Sequence, residues 1–220
     1  KYTDVVFFNG EPINGANQKN VGFENWSSDI NDQLIDSEKL IKMIKANTIL
    51  MSRGSGYHVH RDSTNYEEIL ARRVKAIPYS AYFDTDQYDV IATNSKELWD
   101  DAGVGTVPAR RVDFFCNFRL NGMHVNGTHH IGFSRWFAYR TTSLAREMAA
   151  MTGFARGKYY HKEDPLQLFI RGHVHYYVQI GYPSNEGLCN PCWKLPDMHL
   201  LRGGLGGTEA VVGCTEIVIE

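Results

Sequence analysis

The chain has 220 residues, enough for one large domain or two small ones, and its 43% hydrophobic and 22% charged content suits a globular protein with a real core. A net charge of −2 argues against a surface that coats duplex DNA, and four cysteines in this length do not make a disulfide framework. No apolar run reaches the roughly eighteen residues of a membrane helix, and no signal-peptide pattern opens the sequence, so a cytoplasmic, reducing setting without a membrane partner is expected.

Residues 5–8 are a short continuous apolar run, as in a strand buried on both faces. Asn9, Gly10 and Pro12 break it into loop, leaving Glu11 just past the strand end. Ser27 to Asp29 offer helix N-caps, and Ile30, Leu34, Ile41 and Ile44 share a face, so residues 29–45 are predicted helical. Residues 48–51 read as the next strand. It runs into Arg53, Gly54, Ser55, Gly56, Tyr57 and His58. Residues 65–77 read as a helix with Ile69, Leu70 and Val74 inward. A short helix is predicted over 95–101 and a strand over 111–120. Asn121-Gly122 is the favoured hairpin turn, and residues 123–130 return and end in His129 and His130. Residues 141–151 are predicted helical, stopping near Gly153. The apolar run 166–171 is a buried strand that stops at Gly172, before His173 and His175. Beyond lie residues 176–180, a loop with Cys189 and Cys192, a glycine-rich stretch 203–207, and a last strand near 216–219.

Four strand ends thus carry Glu11, His58, His129 with His130, and His173 with His175. In an extended segment residues two apart face the same way, so His173 and His175 can point to one place. Gly172 lets the backbone approach closely. Strands of a layered fold end at a common rim, so four such ends suggest one site. Carboxylate with imidazole suits Mn, Fe, Zn or Co better than Ca or Mg. The bland alternative is a set of surface or core histidines.

In this order the residues resemble the calcineurin-like metallophosphoesterases, over about residues 5–180. The Gly-His-x-His of residues 172–175 is the strongest element. Gly22, Trp26, Asp29 and Gln33, with residues 136–147, are similar to a branch found in phages and prophages. The resemblance implies an α/β fold, a metallophosphoesterase-type sandwich of two mixed β-sheets flanked by helices, forming a single domain over residues 1–220. It implies two divalent transition metal ions (Mn, Fe or Zn) and hydrolysis of a phosphomonoester or phosphodiester, with nucleic acid as the first expected substrate. Glu11 takes the place of the metal-bridging carboxylate and His58 that of the catalytic histidine. His129, with His130 as competitor, takes that of the lone metal ligand, and His173 and His175 bind one metal each.

Three departures accompany it. The family's opening Asp-x-His has no counterpart before Glu11, and the expectation is that a segment bearing it lies upstream. Glu11 stands where the family has Asp. The asparagine before the catalytic histidine is gone, with Ser55 as its stand-in. An impaired, single-metal or non-catalytic protein of the same fold is the alternative.

Arg53 and Arg171 adjoin the motifs and are the candidate phosphate-binding residues, guanidinium matching phosphate geometry. Tyr57, Trp136 and Tyr176 are candidates for stacking a base or for packing. His60, His124, His161 and His199 read as surface or core histidines. Cys189 and Cys192 read as half a zinc site, a redox pair or plain loop thiols. Asn25 and Asn126 open glycosylation acceptor patterns that nothing else supports. Oligomeric state is not legible.

Overall fold

A computed structural model describes residues 3–15, 25–61, 64–77, 82–85, 88–91, 111–154, 167–194 and 211–218. The chain divides into two compact units, Lys1–Tyr82 with Ala92–Cys116, and Phe83–Ile91 with Asn117–Glu220.

In the first unit β1 (Thr3–Asn9) runs parallel to β2 (Ala46–Ser52), with Phe8 opposite Met51 and Asn9 opposite Ser52. Parallel strands need a crossover, and α1 (Ile30–Met43) lies within the connection. Its N-cap is Asp29, whose side chain accepts from the Asn31 N–H at 2.8 Å. Ile30, Leu34 and Ile41 are buried. After β2 come the single helical turn α2 (Gly56–Val59) and the antiparallel pair β3 (His60–Arg61) and β4 (Thr64–Asn65). Asn65 caps α3 (Tyr66–Arg73), accepting from the Glu68 N–H at 3.1 Å. The helix stops short of residue 77 because Lys75 turns left-handed, at φ 58°. Strands β5 (Tyr82–Thr85) and β6 (Tyr88–Ile91), which from Phe83 on belong to the second unit, form a separate two-stranded sheet. Strand β7 (Val112–Asp113) pairs parallel to the end of β2, completing the order β1-β2-β7. Residues 5–8 are half-buried, since β1 is an edge strand. The core joins Leu34 and Ile41 to Met51, Leu70, Ala71, Val74 and Val112. Each large apolar side chain fully buried here contributes about 1.5–3 kcal/mol.

In the second unit β8 (Cys116–Leu120) and β9 (Met123–Thr128) are neighbours joined by Asn121 and Gly122, at φ 48° and 77°. That is the expected positive-φ hairpin turn. Helix α4 (Thr142–Phe154) lies in the crossover from β9 to its parallel partner β10 (Leu168–Arg171). Strand β11 (Val178–Tyr182) turns back into β12 (Asn185–Cys189), which runs parallel to β10, giving the order β11-β12-β10-β9-β8. Leu144 and Met148 of α4 pack with Phe169, Val174, Tyr176 and Cys189.

The architecture is therefore mixed α/β, with sheets of three and five strands. Several expectations are corrected. Only the larger sheet is mixed; the three-stranded one is wholly parallel. The strand predicted over 111–120 is two strands in two sheets. Asp113 takes the Phe114 N–H on its own carboxylate at 2.6 Å, a local bond that competes with the ladder. Cys189, expected in a loop, ends β12 in the sheet interior, a strand that the sequence pattern does not predict. Residues 213–218 are not a strand; among the described residues the pairing nearby is a bridge between Cys192 and Val212. Asn126 is wholly buried on β9, which rules out glycosylation of the folded chain there. The predictions at 95–101 and 203–207, and His161 and His199, lie outside the described residues. No helix among the described residues is long and apolar enough to cross a membrane.

Candidate metal centre

In the first unit the paired ends of β1 and β2 bring two loops side by side. Gly10 and Glu11 are both left-handed, at φ 76° and 52°. Glu11 donates its backbone N–H to Glu67 Oε1 at 2.8 Å, and Gly54 donates to Glu67 Oε2 at 2.9 Å. Glu67 is 0% exposed, so one buried carboxylate staples both loops. Buried charge is tolerated when hydrogen-bonded in this way. Ser55 donates its N–H to Glu11 Oε1 at 3.1 Å and its hydroxyl to the same oxygen. Those donors hold the Glu11 carboxylate in one orientation. Gly54 permits the approach: a Cβ there would lie 2.7 Å from the Glu11 nitrogen.

His58 sits on α2 with Nδ1 2.9 Å from the Asn14 carbonyl oxygen. A carbonyl only accepts, so Nδ1 carries the proton of the neutral ring and Nε2 the lone pair. Buried Gln33 fixes the loop that supplies this carbonyl. Its Oε1 accepts from the Asn14 and Gly15 N–H groups at 3.1 and 2.9 Å, and its Nε2 donates to the Gly15 and Ser27 carbonyls at 3.1 and 2.8 Å.

In the second unit Thr128 and Arg171 are register partners, so β9 and β10 release their chains together. Gly172 donates its N–H to the His129 carbonyl at 3.1 Å. Val174 donates to the Gly172 carbonyl at 2.8 Å around His173, whose φ is 69°. This is the rare γ-turn of positive φ, a strained conformation. His175 is again left-handed, at φ 56°. The segment is thus not extended as the alternation argument assumed. Val174 is buried in the core, while His173 is exposed and His175 half-buried. The rings of His129, His130 and His173 form a triangle with 5.2 Å between each pair of centroids. His129 Nε2 and His173 Nδ1 lie 3.3 Å apart. Two nitrogens bound at about 2.0–2.1 Å to one tetrahedral ion are separated by roughly 3.4 Å, so this donor pair fits a transition metal.

Other expected site residues fare differently. Arg171, expected at a phosphate, is 0% exposed. Its guanidinium donates to Glu147 (Nε, 3.0 Å), to Asn126 Oδ1 (2.7 Å) and to the Asn126 and Ile170 carbonyls (both 2.9 Å), so it holds the sheet interior together. Asn126 in turn donates to Asn117 at 2.6 Å. Arg53 lies 4.8 Å over the Phe114 ring. Tyr176 is buried, a packing residue. His124 is a core histidine, its pKa brought down to about 4 by burial and then by Arg119. All four cysteines are free. Burial pushes the Cys189 thiol up to about 12 and also raises that of Cys192.

Glu67 was not read from the sequence, although a signal existed. It shares the inward helical spacing of Leu70, Ala71 and Val74, and a carboxylate on an otherwise apolar face needs a reason to be there. No protein-family model matches the chain, and no curated protein matches it.

Proposed function

We propose that the chain is a metal-dependent phosphoesterase of the metallophosphoesterase type, with the sandwich fold which that family implies. The observation that carries the reading is the His129–His173 pair, its nitrogens 3.3 Å apart at paired strand ends, with His173 on strained backbone. His129, His130, His173 and His175, with Glu11, are the proposed ligands. A bound Mn, Fe or Zn supplies Lewis acidity, lowering the pKa of water and neutralising phosphate charge. Glu11 is steadied for its part by Ser55. His58, its Nδ1 tied to Asn14, would deliver to the leaving oxygen a proton first taken up at Nε2, leaving the neutral Nδ1–H ring. Arg53 is the remaining candidate for the phosphate.

The test combines elemental analysis of the purified chain with hydrolysis of bis-p-nitrophenyl phosphate in added Mn, beside His173→Ala. About two metals per chain, with turnover lost in the variant, supports the binuclear enzyme. Neither metal nor turnover sinks it. A second reading, a single-metal hydrolase, is favoured by the His129–His173 spacing, which suits one shared ion. A stoichiometry near one metal per chain with slow turnover selects it.

A further inference from the structure

Directly after His129 and His130 the chain presents an unusual surface. Phe133, Trp136, Phe137 and Tyr139 are 52%, 75%, 82% and 61% exposed. Four large aromatics in seven positions, all facing water, exceed the scattered apolar residues that a protein surface normally carries. The segment is nonetheless built. Trp136 donates its N–H to the Ser134 hydroxyl at 3.2 Å, and residues Phe137–Tyr139 form a 3-10 turn closed by the Tyr139 and Arg140 N–H groups. Buried Tyr176, one residue beyond His175, anchors it. The Arg140 guanidinium lies 4.6 Å over the Tyr176 ring and 5.2 Å from the Phe137 ring. The aromatic ledge and the histidine turn therefore share a support.

The charge of this stretch is as one-sided as its aromatic content. Between Asp113 and Glu147 the sequence holds no carboxylate and four arginines, Arg119, Arg135, Arg140 and Arg146, in a chain whose net charge is −2. Arg135 and Arg146 are exposed. Exposed rings interleaved with guanidinium groups are what an unpaired strand needs, since its bases present π-faces and its backbone a phosphate at every step. A duplex hides those faces in its stack.

We propose that residues 133–140 form a binding ledge for single-stranded nucleic acid, with bases stacked on Trp136, Phe137 and Tyr139 and phosphates met by Arg135 and Arg146. This deepens the phosphoesterase reading by naming its substrate class; it rests on that reading for hydrolysis, though not for binding.

The experiment measures fluorescence anisotropy of a short labelled oligo-thymidylate, and of a labelled duplex, with the full chain in a metal chelator. The wild type, Trp136→Ala and Trp136→Phe are compared. The expected result is that the single strand binds at least about tenfold tighter than the duplex, that Trp136→Ala loses about tenfold, and that Trp136→Phe keeps most of the affinity. Equal affinity for strand and duplex, or a Trp136→Ala variant that binds like wild type, overturns the ledge. So does loss in Trp136→Ala of sedimentation with phosphatidylserine vesicles while oligonucleotide binding is unchanged, which assigns the patch to a lipid surface. Turnover of bis-p-nitrophenyl phosphate separates the two readings. Turnover without oligonucleotide binding overturns the ledge alone. Ring-dependent binding without turnover upholds the ledge and removes the hydrolase.

Discussion

Six described non-glycine residues have positive φ. Lys45 and Lys75 follow helix ends and Asn121 turns a hairpin, uses for which left-handed backbone is ordinary. The remaining three are Glu11, His173 and His175, all singled out from sequence as metal ligands. Strain of about 1–3 kcal/mol per residue persists where surrounding structure enforces it, and it gathers at functional sites. For exposed His173 the cost is separable from the chemistry. His173→Gly relieves the φ of 69° and gives up only the contacts of an exposed ring with His129 and His130. The metal-free variant is expected to gain about 1 kcal/mol in urea unfolding while losing metal affinity; a less stable variant would show that the imidazole itself holds the turn. His124 gives the opposite kind of prediction. Its folded pKa, near 4, is below the usual 6.5, so the unfolded chain binds the extra proton. Its contribution is complete above pH 6.5 and is lost as pH falls through 4. At pH 5 the loss is about 2 kcal/mol. Urea midpoints at pH 7 and 5 should differ less in His124→Gln than in wild type, and an equal difference would count against the assignment.

Elements with local signatures were legible. The Asp29 cap and its apolar spacing marked α1 to within two residues, and Asn121-Gly122 marked the β8–β9 hairpin. Strand β12 was not, because Asn185, Glu186 and Gly187 carry loop chemistry and only tertiary contact makes them a strand. Gly187 is there for space. A Cβ would overlap Met148 Sδ and come within 3.2 Å of Leu144 Cδ1, so the glycine lets α4 lie close on the sheet. Gly187→Ala is expected to cost about 1–3 kcal/mol, less if the Met148 thioether swings aside. Thermal melts of the variant alone and with Met148→Ala would tell: recovery in the double variant locates the clash, and an unperturbed single variant removes it. The site was legible in the same divided way. Histidines at strand ends could be seen in sequence, whereas Glu67 under the Glu11 loop and the burial of Arg171 depend on packing across chain separations that no local pattern encodes.

At the scale of the whole molecule, a ligand that binds only the folded chain stabilises it in proportion to its saturation. Metal at a hundredfold excess over Kd adds about 2.7 kcal/mol, a rise in Tm of roughly 5–10 °C for a chain of this length. The histidine donors belong to the unit holding β9 and β10, and Glu11 to the unit holding β1 and β2. Scanning calorimetry in Mn or Zn, with chelator as reference, is expected to give the rise in wild type and to lose most of it in His129→Ala. Glu11→Gln keeps the Ser55 contact through its amide oxygen while removing the charge. If Glu11 contributes to metal binding, that variant loses part of the rise. If Glu11→Gln keeps the full rise and His129→Ala abolishes it, the ion is held by the histidine turn alone. The bridging role is then gone, and the single-ion hydrolase becomes the form of the enzyme to pursue.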